Sequence, residues 1–485
     1  MIPQRGKSFC TMTRHWWHGC IALALTIPLL AQALLPARET VPVIAREFRG
    51  TWAAVVYNID WPSSNKLSAE QQQAEMRAIL DRMQSLHLNA LIFQVRPQCD
   101  AVYASAREPW SPWLTGTMGR SPGYDPLEFT IREARLRGIE VHAWFNPFRA
   151  LTNASATTSA NHITRSAPQL TKPYHNMVWC DPALPESRQR ALTAILDVLS
   201  RYNVDGIHLD DYFYPYPHQG KRFADGLSNQ ERRRVVDAFM QELYQQVKRI
   251  KPWARVGISP FGIWQPGVPA GTTASLNAYE DLACDAKKWL QNGWCDYLAP
   301  QLYWRIDGPQ SYTLLLDWWR QQGSRPVWPG IATSRIGSTE DPGRKATEIV
   351  NQLQLSRRGS HSQAGHLHWS VKAIMQNRDH IVEHLKKTYT APALVPAMTW
   401  QSRAVPLAPR VTAERKSDTI MVRWIVGDTS TNQIAVQGRR GLQWQTLRIC
   451  PAESGGIVLP LMDAIAITAV NRYGQTSTPI VLRRQ

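Results

Sequence analysis

Between residues 49 and 388 the chain alternates a short apolar run with a longer stretch of helical periodicity, eight times over. The runs are Arg49–Val56, Ala90–Arg96, Ile139–Phe145, Val204–Leu209, Arg255–Ser259, Asp296–Gln301, Pro326–Ile331 and Gly365–Ser370. They are rich in Val, Ile, Leu and aromatic residues, as strands buried on both faces must be. After the first, Ser68 and Gln71 have capping-box spacing, and Met76, Ile79, Leu80, Met83 and Leu86 recur at helical intervals. Further helices are expected near 125–137, 186–201, 228–250, 280–291, 311–322 and 343–355, with a last one ending near 388. Repeated strand-then-helix units force the strands to run parallel. Eight such units predict an α/β fold closed into a (β/α)8 TIM barrel rather than an open sheet.

The fourth unit contains the most unusual stretch, Val204-Asp-Gly-Ile-His-Leu-Asp-Asp-Tyr-Phe-Tyr-Pro-Tyr216, in which an apolar strand runs into two adjacent carboxylates and an aromatic turn. A barrel of this kind keeps its chemistry at the C-terminal ends of its strands. The other strand ends collect comparable residues: Gln94, Arg96, Asp100, Tyr103, Glu108 and Trp110 after strand two, and His142, Trp144 and Asn146 at strand three. Strands five, six and eight add Ser259, Phe261, Trp264, Gln301, Tyr303, Trp304, His368, Trp369 and Ser370. The loops over 97–124 and 146–185 are long, and the Ser/Thr/Asn/Ala-rich piece Leu151–Ala167 is expected to form a mobile rim. The sequence has no GxSxG elbow, no GxxxxGK[ST] loop and no HExxH helix, so neither a cofactor nor a metal is expected. Carboxylates set among amides and aromatics are what glycoside cleavage uses.

Residues 1–37 read as a secretory signal peptide: Arg5, Lys7 and Arg14 precede the apolar run Cys20–Leu30, which leads to Ala31-Gln-Ala33. Pro28 and Gln32 leave that run short for a bilayer span, and an uncleaved anchor is the alternative. Export to the periplasm or cell envelope is the expectation. The barrel is assigned to 38–390, a Pro-rich linker to 391–408, and a β-sandwich of short alternating strands to 409–485. Of the seven cysteines, Cys99, Cys180, Cys284, Cys295 and Cys450 lie beyond the leader. An odd number without motif spacing is neither a disulfide framework nor a zinc site, and which of them pair is left open. The net charge of +17 is scattered, without the basic arm of a nucleic-acid binder. It suits an anionic polymer or surface, or solubility alone. The 20 tryptophans suit stacking on sugar rings or thick barrel packing equally.

Several motifs occur in order: Arg49-Gly-Thr-Trp52, Gln94-Val-Arg-Pro97, Asp100-Ala-Val-Tyr103, Glu108-Pro-Trp-Ser111, Tyr124-Asp-Pro-Leu127, His142-Ala-Trp-Phe-Asn-Pro147, Val204–Tyr216, Gly257-Ile-Ser-Pro-Phe-Gly-Ile-Trp264 and Pro300-Gln-Leu-Tyr-Trp304. With them, residues 47–370 resemble the glycosyl hydrolase-like family 10, which includes bacterial cell-envelope proteins. The resemblance implies a TIM barrel that hydrolyses glycosidic bonds. The substrate it best suggests is peptidoglycan glycan, as strands lacking stem peptides. Its muramic acid units, which carry lactyl carboxylates, would suit the positive charge. The Trp424 strand and Ala469-Val-Asn-Arg-Tyr-Gly-Gln-Thr-Ser477 resemble a fibronectin type III domain, through which cell-division or other envelope proteins would dock. Asp205-Gly-Ile-His-Leu-Asp210 also looks like the strand-four motif of the α-amylase superfamily. That likeness makes Asp210 the nucleophile and Asp205 a structural acid. It departs at His208, where that superfamily has Arg, and at Ser259-Pro260, where its acid would follow strand five.

Side chains alternate along a strand, so Asp210 and Asp211 should not both face one sugar unless the strand has already ended. With Asp210 as nucleophile or base, the acid is then expected from the strand-two loop, from Glu108 or Asp100. Beside Trp110, Glu108 would gain a raised pKa; its alternative is a salt bridge that holds the loop. The alternative for Asp211 is a bond to its own turn. Asp296 starts strand six and belongs to the stability face. Arg96, Asn146, His208, Gln301 and Tyr303 are expected to orient sugar hydroxyls or acetamido groups, and Tyr212, Trp264, Trp304 and Trp369 to stack on rings. Each has second-layer support or packing as its alternative, and His142 reads as a barrel-interior histidine. Two further functions stay open: a non-catalytic glycan-binding envelope protein, favoured by the missing acid after strand five, and a hydrolase of another polysaccharide such as an α-glucan.

Overall fold

Eight parallel strands form the barrel: β1 Phe48–Ala53, β2 Ala90–Arg96, β3 Glu140–Phe145, β4 Gly206–Leu209, β5 Arg255–Ile258, β6 Tyr297–Leu298, β7 Gly330–Ile331 and β8 Gly365–His368. Their order in the sheet is β6-β5-β4-β3-β2-β1-β8-β7. Parallel bridges Leu298↔Val327 and Gln301↔Gly330 join β6 to β7 and close the ring. These coordinates are a computed structural model that describes residues 32–360 and 363–484. The basic and apolar parts of the expected leader, through residue 31, lie outside them.

A helix follows each strand: α1 Ala69–Ser85, α2 Pro126–Leu136, α3 Pro185–Arg201, α4 Asn229–Ile250, α5 Ala286–Gln291, α6 Tyr312–Arg320, α7 Ala346–Arg357 and α8 Ile381–Thr388. Local chemistry sets their starts. Ser68 and Gln71 close the expected capping box on α1, Ser228 and Glu231 close another on α4, and Asp125 caps α2 ahead of Pro126. Phe48, Trp52, Ile92, Tyr297, Trp328 and Leu367 fill the barrel interior. Gly206 earns its place there, since a Cβ would lie 2.8 Å from His142 Nδ1 and 3.0 Å from the Arg255 carbonyl. Trp61, Trp179, Trp289, Trp319 and Trp328 are all fully buried, so much of the tryptophan excess is packing.

Between β3 and α3 the chain makes a small antiparallel sheet from Arg149–Leu151, Thr171–Tyr174 and Met177–Cys180. The Leu151–Ala167 piece, expected as a mobile rim, is anchored at its two ends and exposed over most of 153–161. Its His162 is fully buried, and Gln98 Oε1 accepts from the Thr152 amide and hydroxyl at 3.0 and 2.9 Å.

The C-terminal strands β9 Arg410–Lys416, β10 Thr419–Ile425, β11 Thr431–Arg440, β12 Gln443–Pro451, β13 Gly456–Pro460, β14 Ala464–Asn471 and β15 Ile480–Arg483 form two antiparallel sheets. One has the order β9-β10-β13 and the other β12-β11-β14-β15. Residues assigned from sequence to the leader extend both. Gln32–Ala33 pairs with β9 and Leu35–Pro36 with β15, while Leu34 between them is buried in the sandwich core. The first part of the Pro-rich segment over 391–408 is packed, since Leu394 bridges Arg46 and Leu394, Ala397 and Met398 are buried, whereas Val405 and Leu407 are exposed.

Candidate active site

Strand β4 stops at Leu209, so Asp210 and Asp211 stand on a turn where the alternation of faces no longer applies. Both line one cleft of about 280 Å3 at the C-terminal mouth of the barrel. The expectation that the second acid must come from the strand-two loop is corrected by this early strand end.

A relay of amides fixes Asp210. Gln94 Oε1, on β2, accepts from the backbone N–H groups of Val55 and Val56, both at 2.9 Å. Its amino group must therefore point the other way, and it donates to Asn146 Oδ1 at 2.7 Å. That in turn leaves the Asn146 amino group to donate to Asp210 Oδ2, while the Tyr212 amide donates to Oδ1 at 3.2 Å. Burial pushes the Asp210 carboxyl up to about 6, against the pull of Arg149 and of its donors Tyr212 and Asn146.

Asp211 is fully buried, and its Oδ2 accepts the Tyr216 hydroxyl. Its Oδ1 has no hydrogen-bond partner among the described residues. Burial and the neighbouring Asp210 carboxylate push Asp211 up to about 7, while the Tyr216 hydroxyl and the Gln301 amide pull it down. Both carboxyls of the adjacent pair are thus held above the ordinary aspartate range by burial, and Asp210, with more hydrogen-bond donors, is the one better able to carry the negative charge.

Aromatic walls flank the pair. Trp369, after β8, meets Trp52 and Trp144 edge-on at 6.0 and 6.1 Å, and lies nearly parallel to Tyr303 at 6.4 Å. Tyr57, Tyr212, Arg149, Gln301 and Ser259 also line the cleft. Tyr57 and Asn58 have φ of 56° and 51°, the left-handed region that bulky residues avoid. Asn58 Nδ2 holds this turn by donating to the Pro62 and Trp113 carbonyls at 2.9 and 2.8 Å.

Asp210, Asp211, Tyr212, Gln301, Tyr303 and Trp369 from the sequence expectation therefore share the cleft, with Asn146 directly behind Asp210. The other expected residues do not line it. Glu108 is consumed by Arg96 Nε at 3.0 and 2.8 Å. Arg96 itself is buried, and it also donates to the Asn146 and Pro147 carbonyls at 2.8 and 3.0 Å, so the pair braces the turn that carries Asn146. Asp100 is fully buried under the strand-two loop, where Oδ1 accepts from the Gln98 amide at 2.9 Å, and burial raises it to about 6.

His208 lies beneath the floor. The Trp52 indole donates to Nε2 at 3.3 Å, so Nδ1 carries the proton toward Tyr297 Oη at 3.0 Å. Tyr297 then donates to His142 Nδ1 at 2.8 Å. Burial and the neighbouring His142 hold His208 far below the ordinary histidine range, hence neutral. Trp264 packs on Tyr279 and Trp318 at 5.0 and 6.0 Å, and Trp304 on Phe261 at 5.6 Å. These two lie several residues past the ends of their strands, on loops that have already turned away.

Sequence reasoning missed Trp52, Val56, Tyr57, Ile59 and Arg149 as cleft residues, and noted Trp144 and Ser259 only as strand-end residues. Trp52 was visible in the Arg49-Gly-Thr-Trp52 motif; Arg149 carried no local signal. Cys99 and Cys180, distant in sequence, meet behind the site with their sulfurs 3.4 Å apart.

The family profile described as glycosyl hydrolase-like 10 matches residues 47–342. The glycosyl hydrolase YngK of Bacillus subtilis (strain 168) is 38% identical over 391 residues, covering 76% of each chain. The glycosyl hydrolase DigH of Escherichia coli (strain K12) is 33% identical over 362 residues, which is 65% of this chain and 82% of that protein. Among solved structures, the glycoside hydrolase domain of PgaB (BpsB) from Bordetella bronchiseptica aligns with a TM-score of 0.45 at 13% identity, over 71% of this chain and 98% of that one.

Proposed function

Because the chain belongs to the glycosyl hydrolase-like 10 family and is a glycoside hydrolase, we propose that it is an exported enzyme that cleaves peptidoglycan glycan, acting on strands that lack stem peptides. The observation that carries the catalytic part is the pairing of Asp210 and Asp211 in one aromatic-walled cleft. Asp211, whose carboxyl is pushed up toward neutral pH, gives its proton to the glycosidic oxygen as the bond to the anomeric carbon breaks and the bonding electrons pass to that oxygen. Asp210, held by Asn146 and the Tyr212 amide, meets the positive charge that develops at the anomeric carbon, and water completes the hydrolysis by adding its oxygen to that carbon and returning a proton to the Asp211 carboxylate. Trp369 and Tyr212 offer flat faces to the sugars on either side. No carboxylate follows strand five, and in this reading Asp211 takes the part of the acid instead.

Export is supported by the basic-then-apolar layout of residues 5–33. Docking of cell-division or other envelope proteins is assigned to the sandwich, whose sheet orders β9-β10-β13 and β12-β11-β14-β15 favour the fibronectin type III likeness.

The test is sugar release from purified sacculi, with and without amidase treatment, by the parent protein and by Asp210→Asn and Asp211→Asn. Release is expected from amidase-treated sacculi and should fall at least about a hundredfold in either variant. Solubilisation of starch but not of sacculi would overturn the substrate. Parental activity in Asp210→Asn would overturn the catalytic assignment.

A further inference from the structure

Six arginines are buried among the described residues: Arg49, Arg96, Arg149, Arg232, Arg255 and Arg344. Five have a carboxylate within 4 Å, respectively Glu47 for Arg49, Glu108 for Arg96, Asp225 for Arg232, Glu140 for Arg255 and Asp341 for Arg344. Arg149 is the exception. It is 8% exposed and faces the catalytic cleft. Its Nε donates to the Pro97 carbonyl at 2.9 Å, and its guanidinium carbon lies 5.3 Å over the Tyr212 ring. Among the described residues its two terminal amino groups have no acceptor. Its charge acts on the Asp210 carboxyl from a distance, but no carboxylate comes within 4 Å of it, so its terminal N–H groups are left to bind a group that enters the cleft.

The surroundings define that partner. A guanidinium whose Nε is already used presents its two terminal nitrogens as a fork, which matches the two oxygens of a carboxylate. Arg149 and the Tyr212 ring beneath it line the same cleft as Asp210 and Asp211, so an anion bound there would be carried by a sugar next to the carboxyl pair. We propose that Arg149 binds a free carboxylate carried by the substrate sugar beside Asp210, and so selects glycans with acidic substituents. This rests on the peptidoglycan reading and deepens it. In a strand that carries stem peptides the muramic lactyl group is an amide without charge; removing the peptide frees the carboxylate. Arg149 then gives a physical reason for acting on stripped strands, because it reads the group that stripping uncovers.

The experiment compares amidase-stripped glycan strands with the same strands after their carboxylates are coupled to methylamine, which removes the charge at little cost in size. The parent enzyme is expected to lose roughly ten- to hundredfold in kcat/KM on the neutralised strands, mostly through KM. Arg149→Gln should lose a similar factor on the acidic strands and discriminate the two substrates less than about threefold. Arg149→Lys should recover part of the discrimination. Equal cleavage of both substrates by the parent overturns carboxylate recognition and leaves the peptidoglycan reading standing; this arm needs no variant to fold. Cleavage of neither by a parent enzyme that degrades an uncharged polysaccharide overturns the peptidoglycan reading itself. A loss in Arg149→Gln that is equal on both substrates and comes with an upward shift of the acidic limb of the pH–rate profile overturns the proposal, because Arg149 then serves only to hold Asp210 ionised.

Discussion

Asp211 places a measurable burden on the fold. An aspartate in an unfolded chain ionises near about 3.9, whereas burial and Asp210 hold folded Asp211 protonated up to about 7. Between those values folding takes up a proton, so the group's contribution to stability is fully present below about pH 4, falls as the pH rises through the window and levels off above 7. An asparagine has no charge to bury. Asp211→Asn is therefore expected to be inactive yet more stable than the parent at pH 8, by about 2 kcal/mol, with the difference gone at pH 4. Denaturant melts at the two pH values check this, and equal midpoints for both proteins at pH 8 would remove the buried-acid reading. The two carboxyls were legible from sequence because they follow an apolar strand. Their sharing of one cleft was not, because it depends on β4 ending at Leu209, a boundary one residue wide. Arg149 was hidden for a different reason: a guanidinium with free terminal N–H groups is a statement about every neighbour in space, and sequence gives only neighbours along the chain.

The barrel strands position that pair through a polar column that no motif announces. His142 on β3, His208 on β4 and Tyr297 on β6 are bonded in series, and the Trp52 indole of β1 closes the upper end beneath the cleft. The column needs room beside β5. At Gly257 a Cβ would stand 1.9 Å from the Tyr297 ring, which is fully buried and packs against the stacked Phe48 and Trp328 rings at 5.6 and 4.7 Å. Gly257→Ala should therefore destabilise the barrel by about 3 kcal/mol and displace Tyr297 from both histidines. Because His208 supports Trp52, activity should fall more than the unfolded fraction explains. Calorimetry together with activity at a temperature where the variant stays folded separates these effects, and an unchanged melting temperature would mean the interior has slack that the packing does not show. The Gly257-Ile-Ser-Pro motif signalled a constraint here; its cause, a tyrosine from the next strand, required the closed barrel.

The molecule as a whole is joined by segments that looked, in sequence, like its disposable parts. Alternating strands made the sandwich legible, but Ala31-Gln-Ala33 reads as the end of a leader, and nothing in its small side chains says that the next residues complete a core. In the fold, Leu34 is 5% exposed between the two sheets and its amide donates to the Ala413 carbonyl at 2.9 Å. Leu35–Pro36 pairs with the edge strand β15. Downstream, Glu39 accepts from Arg439 at 3.0 Å, the Pro42 carbonyl accepts from Gln437 at 3.0 Å, and Arg46 bridges Leu394 at the barrel, so one strap crosses from sandwich to barrel. Asp296, at the opposite end of β6 from the cleft, takes the Trp400 indole at 2.9 Å and fastens the returning chain to the same face. Where the strap begins should then decide how firmly the sandwich is held. A chain starting at Leu34 keeps the buried leucine, whereas one starting at Arg38 loses it together with the pairing on β15. Burial of a leucine stabilises by about 2 kcal/mol. The Arg38 form is accordingly expected to melt at least about 4 °C lower in the transition that unfolds the sandwich, with its cleft chemistry intact below that temperature. Equal melting temperatures for the two forms would show that the strap lies on the sandwich without supporting it.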